Sequence, residues 1–458
     1  MFMSTFHLIN FGCRASHADG AAIKKQLMTK GFSEAAPEAS EIAVLNTCTV
    51  TTTADAEVRQ VIRRIHRSNP GCRILVTGCY AQRAADEIAE LPGVTWVIGN
   101  SHKHVLAQIL TGDASAWDAA ENLISPETQE TLVRMPSTDC GHQTPQPLVL
   151  VGEIGDTFHF APVFADDRTR PTLKIQDGCN ARCAFCIIPQ VRGTSRSMEP
   201  GKVVEQVREL ERSGYKEIVL SGINLGSYGR DLGRRINFVG LVERILRETG
   251  IPRLRISSVE PMDVNRELIE LVATEPRMAH HFHVPLQSGS NRILRLMSRR
   301  YWTTQYAERI LAIRERMPNC GIGADVMAGF PGETETDHAE SCRFIVSLPF
   351  TYLHIFPYSA RPGTPSAERP GQVDGRRIHD RVLNLKRLIA DRRARFLDAQ
   401  IGQKLSSVAL HKAKDGAPTV LSSNFLQISL PGSNVVPNTL LDVVASRVFN
   451  GGLVGRPA

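Results

Sequence analysis

Residues 172–186 read Thr-Leu-Lys-Ile-Gln-Asp-Gly-Cys-Asn-Ala-Arg-Cys-Ala-Phe-Cys. The run 172–176 has the alternation of a strand, and Cys179, Cys183 and Cys186 follow it directly with C-x3-C-x2-C spacing. Thiolates hold iron–sulfur clusters, and closely spaced cysteines in a loop can wrap one cubane without regular structure. Three ligands leave one iron of a four-iron cubane open to a substrate or cofactor. Structural zinc wants four protein ligands, and no fourth Cys or His follows at finger spacing. Three cysteines that only packed a core would need no such spacing.

The same strand-then-helix pattern continues downstream. Strand-like runs at 172–176, 217–221, 253–257, 281–285, 321–327 and 352–357 alternate with helical periodicity at 200–212, 238–248, 303–317 and 335–347. This βα alternation predicts a partial or complete barrel over 169–375, a fold that places its chemistry at the C-terminal ends of its strands. The cysteine loop lies at such an end.

Upstream, residues 1–110 form a second α/β unit. Strands are expected at 5–10, 42–46, 73–77 and 94–98, with helices at 17–30, 54–67 and 82–90, which implies a parallel sheet covered on both faces. Cys13, Cys48 and Cys79 each fall two or three residues beyond one of these strands. Loops of that kind share one sheet edge, so the three thiols could converge; each could also be a small buried hydrophobe. Cys72, Cys140, Cys320 and Cys342 lack this placement and read as structural.

Residues 111–168 are rich in Pro, Thr, Gln and Asp and read as a connecting segment with little structure of its own. Residues 376–395 carry eight Arg/Lys against two Asp, with Val382, Leu385, Leu388 and Ile389 on one side. They predict a basic amphipathic helix that either offers a phosphate footprint or docks on the barrel. Residues 396–458 alternate apolar and polar positions between Gly, Pro and Asn, as in a small β-barrel. The fold class is therefore α/β with a terminal all-β unit.

Composition sets the outer limits. Of 458 residues, 42% are hydrophobic and 22% charged, which excludes a disordered chain. A net charge of +7 permits a polyanionic partner. No apolar run approaches the ~18 residues of a membrane span, and the first residues lack the basic flank of a signal peptide. Ten cysteines without a secretory signal point to metal ligands and a cytoplasmic location.

The cysteine loop at the first strand of a (βα)6 pattern resembles the radical S-adenosylmethionine enzymes. The three parts together resemble the methylthiotransferases of that superfamily, through FGC, NTCTV and VTGCYAQ, then GCNARCAFCIIPQVRG, LRISSVEP, HVPLQSGSNRIL, DVMAGFPGET and HIFPYSARPGTP. The resemblance implies two [4Fe–4S] clusters, one on Cys179, Cys183 and Cys186 and an auxiliary one on Cys13, Cys48 and Cys79. It also implies S-adenosyl-L-methionine as methyl donor and radical source, a tRNA substrate met partly by a C-terminal RNA-binding module of the TRAM type, and an external electron donor. Ser16 and Asp19 stand where the family has an Asn and an acid after its first cysteine, which bears on tuning of the auxiliary cluster and not on its thiolates.

Other positions follow from strand ends. Ser221, Gly222 and Asn224 end the second barrel strand, Ser257 and Glu260 the third and Gln287 the fourth; they are expected either to contact the cofactor or to cap the next helix. The spacing Arg192-Gly193 then Arg196-Ser197, with Ser221-Gly222-Ile223 and Tyr228-Gly229, resembles the branch acting on N6-threonylcarbamoyladenosine-37 of tRNA. Arg192 and Arg196 could pair bidentately with the substrate carboxylate, or instead position the cluster loop. Arg387 and Arg392 are the expected tRNA contacts of the basic helix. The alternatives are methylthiolation of isopentenyladenosine-37, of a ribosomal-protein aspartate, or a non-catalytic RNA-binding protein with structural metal.

Overall fold

The computed structural model describes residues 4–112, 132–134, 146–156, 169–233, 235–411 and 416–458. Cys140 lies outside them. The N-terminal sheet has seven strands, and Thr5–Asn10, Ile42–Thr47, Arg73–Gly78 and Val94–Ile98 run parallel side by side. Every residue of Ile42–Thr47 is buried, because the sheet is covered on both faces. Ala43 and Leu45 join one apolar cluster with helix Thr52–Ser68, while Ile42 and Val44 join another with Arg14–Thr29. The connecting segment is corrected in part. Leu148–Val151 pairs parallel with Val94–Ile98 and antiparallel with Leu132–Arg134, so the sheet reaches beyond residue 110. An apolar Leu-Val-Leu-Val run supplies that strand, within a stretch whose average composition suggested a loop.

The second unit is an open barrel of six parallel strands in two groups of three. Thr172–Lys174, Glu217–Ser221 and Arg253–Ile256 form one; His281–His283, Gly321–Ala328 and Tyr352–Pro357 form the other. Bridges Leu254–Met278 and Ser258–His283 join them. The first strand has no barrel neighbour on its free side; helix Arg14–Thr29 of the N-terminal unit packs there instead. Chain entry into that helix at Cys13 therefore lies beside the barrel.

The C-terminal strands Lys404–Ala409, Thr419–Ser422, Gln427–Ser429, Leu440–Phe449 and Gly452–Pro457 form a closed barrel. It closes over the N-terminal ends of the six-stranded barrel, opposite the cysteine loop. Arg255 donates to the carbonyls of Ser422 and Ser423 at 3.0 Å, Asn424 Nδ2 donates to Asn319 O, and Phe425 stacks on His281 with centroids 4.4 Å apart.

Beneath this junction the wholly buried Glu217 meets Arg255 at 2.7 Å, Arg170 at 3.1 Å and Arg253 at 3.7 Å. Burial alone would raise the Glu217 carboxyl, but Arg255 and Arg170 outweigh it and hold it down at about 2, from 4.5. A carboxyl held low contributes stability that is fully present above its unfolded value and lost as pH falls from 4.5 toward 2. The lost amount is about 3 kcal/mol. Acid unfolding of the metal-free chain, followed by near-ultraviolet circular dichroism, should steepen in that window. Glu217→Gln should remove that steepening and lower stability at neutral pH by about 3–5 kcal/mol, since three guanidinium groups lose their counter-charge. An unchanged acid profile in the variant would contradict the assignment.

Candidate active site

The N-terminal strands run in the order Ser33–Glu34, Thr5–Asn10, Ile42–Thr47, Arg73–Gly78, Val94–Ile98, so the chain reverses direction across the sheet between the second and third in that row. Ligands bind at the carboxyl edge of such a switch point. Cys13, Cys48 and Cys79 all sit on this edge. Gly12 has φ +92°, and a Cβ there would stand 2.6 Å from Cys48 Sγ; its absence lets the two cysteine loops touch. Cys13 stands at the N-cap of Arg14–Thr29. Cys79 Sγ accepts from Asn100 Nδ2 at 3.5 Å. Burial pushes the Cys48 thiol up to about 12, reinforced by Cys79 and Cys13 nearby.

The second triad lies in the loop after Gln176–Asp177. Cys179 Sγ accepts from Ala181 N at 3.4 Å, and Cys183 Sγ from Arg299 Nη1 at 3.3 Å. Burial pushes Cys186 up to about 12, with Cys183 and Cys179 adding to it. The nine described cysteines are all free thiols. Neither triad draws its three sulfurs within 4.8 Å of one another. A single ion would require closer donors, whereas a cubane carries its thiolates on separate irons. Two sets of three free thiols, each set spread apart, fit two cubanes.

The six expected cofactor positions divide. Asn224 Oδ1 is buried with no hydrogen-bond partner, while its backbone N–H donates to Gln176 Oε1 at 2.7 Å. An orphaned acceptor beside Cys179 fits the ammonium group of a bound amino acid. Glu260 is paired with Arg299, the residue on Cys183. Ser221 and Ser257 are buried at their strand ends, and Gly222 packs on Gln176. Gln287 has φ 65° with its N–H on Asp325 O at 2.8 Å. A left-handed non-glycine at a barrel rim is a strained position of the kind found in binding sites.

Arg192 and Arg196 are corrected as substrate ligands. Arg192 is 2% exposed, with Nη1 on both carboxylate oxygens of Asp177 (3.0 and 3.1 Å) and Nη2 on Asp19 (2.9 Å). Arg196 donates Nη1 to Gly155 O and Nη2 to Arg192 O. Both guanidinium groups are spent on the protein, so they position the cluster loop. Asp19 also binds Lys103 at 3.1 Å and Lys174, which in turn binds Asp177. Burial would raise Asp19, but Lys103, Lys174 and Arg192 together hold it well below the usual carboxylate range. Asp19 is thus the tie between helix Arg14–Thr29 and the radical loop.

Arg392 is corrected as well. Helix Gly375–Asp398 docks through Arg392 Nη1 on Leu348 O (2.8 Å) and through Arg381, buried against Glu333 and Glu335 at 2.7 Å each. Arg387 stays exposed, as do Arg376 and Arg377. Docking and an exposed basic face coexist because alternate turns carry the two kinds of arginine.

Sequence reasoning missed Arg299, Asn100, Lys103 and Arg361. Arg361 is buried; its Nη2 binds Thr49 Oγ1 at 3.0 Å and Asp55, joining the loop after the sixth barrel strand to the one after Cys48. Its Nε and Nη1 have no partner. Arg361 stood in the quoted HIFPYSARPGTP and Asn100 two residues past a strand, but no spacing rule marks a side chain whose partners lie on loops distant in the sequence.

Two family models match the chain: Radical SAM superfamily over residues 173–345, and uncharacterized protein family UPF0004 over residues 5–99. The chain is 36% identical over 425 residues to the threonylcarbamoyladenosine tRNA methylthiotransferase MtaB of Aquifex aeolicus, covering 92% of this chain and 95% of that protein. It is 38% identical over 388 residues to the protein of the same name from Bacillus subtilis, covering 84% and 80%. A tRNA-2-methylthio-N(6)-dimethylallyladenosine synthase of Pelotomaculum thermopropionicum is 32% identical over 378 residues, covering 81% and 79%. Among solved structures, the radical S-adenosylmethionine methyltransferase TsrM of Kitasatospora setae superposes with a TM-score of 0.57 over 80% of this chain and 74% of that one, at 15% identity. That likeness concerns the fold. No helix among the described residues is long and apolar enough to cross a membrane.

Proposed function

Because this chain belongs to the radical S-adenosylmethionine methylthiotransferases, we propose that it methylthiolates C2 of N6-threonylcarbamoyladenosine at position 37 of tRNA. It is a transferase of the tRNA-modifying kind, with S-adenosyl-L-methionine and [4Fe–4S] clusters as its cofactors. When bound, they supply a 5′-deoxyadenosyl radical and a methylated sulfur. Cys179, Cys183 and Cys186 would hold one cluster and Cys13, Cys48 and Cys79 the other. Asn224 Oδ1 would receive the methionine ammonium. Asp19, Arg192 and Lys174 fix the two cysteine loops against each other, and Arg361 closes the far side of the interface. This juxtaposition of the three-cysteine sheet edge with the three-cysteine barrel loop is the observation that carries the reading, since a sulfur-inserting enzyme must bring its sulfur source to the radical.

The choice of substrate rests on the relatives named for threonylcarbamoyladenosine, which match at 36% and 38% against 32% for the dimethylallyl one. The RG-x-x-RS spacing adds to it, although its arginines act on the protein. Nucleoside mass spectrometry of tRNA from a deletion strain should show the 2-methylthio form gone and its unthiolated precursor accumulated. Loss of the isopentenyl product, or of a modified ribosomal aspartate, would replace the substrate while leaving the family intact.

The exposed basic face of Gly375–Asp398 would take tRNA phosphates. Charge reversal of Arg376, Arg377 and Arg387 should weaken tRNA binding and flatten its dependence on salt, because each lost phosphate contact removes about one unit of slope. Equal binding across a salt series would place the tRNA elsewhere.

A further inference from the structure

Three barrel residues outside this machinery converge: His283, Asp325 and His354. Their strands are adjacent and parallel; Asp325 lies opposite His354, and His283 opposite Gly323, two residues before Asp325. All three side chains therefore share one face of the sheet. His283 Nε2 lies 2.9 Å from Asp325 Oδ1 and His354 Nδ1 3.3 Å from the same oxygen, and the three ligand atoms all fall within 4.8 Å of one another. These are the separations that donors adopt around one small cation.

The surroundings pre-orient the set. Gly323 has no Cβ, which would otherwise stand 2.0 Å from Tyr352 Cζ, so the Tyr352 ring lies over the strand. Its hydroxyl reaches His283 Nδ1 at 3.0 Å and His281 Nε2 at 2.8 Å. The hydroxyl on Nδ1 holds the His283 ring with its Nε2 turned toward Asp325. An outer hydroxyl fixing the imidazole in this way is the usual support of a metal-bound histidine.

We propose that His283, Asp325 and His354 form a binding site for one divalent first-row transition cation, separate from both cysteine triads. Two imidazoles and one carboxylate suit zinc or iron(II), and the 53% exposure of His354 leaves a coordination position open to ligand or water. Zinc is the probe. Holoenzyme with both clusters loaded is incubated anaerobically with zinc sulfate, desalted and assayed for zinc and iron together. The expected result is about one zinc per chain with iron unchanged. Asp325→Asn and His354→Ala should each lose the zinc and keep the iron, which also shows that they fold. Tyr352→Phe should weaken zinc binding 10–100-fold in competition with a chromophoric chelator. No retained zinc, zinc gained only as iron is lost, or equal zinc in the Asp325 and His354 variants would each overturn the site.

Discussion

Replacing Cys179, Cys183 and Cys186 with Ala should halve the iron of the anaerobically reconstituted enzyme and abolish cleavage of S-adenosylmethionine. The full complement is about eight iron per chain, from two cubanes of four. Replacing Cys13, Cys48 and Cys79 should halve the iron too, yet leave cleavage to 5′-deoxyadenosine running without sulfur insertion. The asymmetry follows from position. The loop of the first triad is met inside the barrel by Arg299, on Cys183, and by Asn224, whose N–H reaches Gln176 just before it. The second stands on a sheet edge of another unit and touches the barrel through Asn100, on Val191 O at 2.7 Å, and through Asp19. Both triple variants should keep their fold, because each thiol-to-methyl change removes a single atom, even at Cys48 and Cys79, which pack in apolar clusters. Full iron in the second variant would overturn the auxiliary site, and loss of cleavage in it would mean that the two triads do not act separately.

Arg192→Met should cost more than its single charge suggests. The buried network holds Lys103, Lys174 and Arg192 against Asp19 and Asp177, leaving one positive charge in excess beside Cys79 and Cys13. Burial lowers the Arg192 guanidinium, and Asp177, Cys79 and Asp19 more than reverse this, so it stays charged. A cubane core of two positive charges on three thiolates is a single negative charge, which that excess balances. Removing it should shift the reduction potential of the auxiliary cluster negative by on the order of tens of millivolts, read by electron paramagnetic resonance in a redox titration. It should also cost about 3–5 kcal/mol, since Asp177 and Asp19 lose their shared partner in the interior. Arg192→Lys keeps the charge without the fork that spans both carboxylates, so it should restore the potential but not the stability. An unmoved potential in the methionine variant would make Arg192 a purely structural tie.

The C-x3-C-x2-C loop and the strand–helix alternation around it were legible in the sequence, because local spacing and periodicity encode them. The strands Thr5–Asn10, Val94–Ile98, Glu217–Ser221 and Tyr352–Pro357 fall where alternation put them. The placement of Cys13, Cys48 and Cys79 past parallel strands was likewise enough to bring them to one edge. The strand Leu148–Val151 was hidden by the polar residues before it, since averaged composition masks a four-residue run.

What tertiary structure alone decided is which charges are spent and which are free. Arg192 and Arg196 read equally as substrate ligands or as supports of the cluster loop, and carboxylates and carbonyls brought from elsewhere in the chain make them supports; Arg392 gives one N–H to Leu348 O. Arg299 and Arg361 reach the cysteine loops across 116 and 312 positions, which no local spacing encodes. The meeting of His283, Asp325 and His354 depends on strand register, and the seating of Phe425 under the barrel depends on how two units dock. A side chain's type and spacing are local properties. Its partner is fixed by packing, where the cost of burying an unpaired charge selects the one arrangement that satisfies them all.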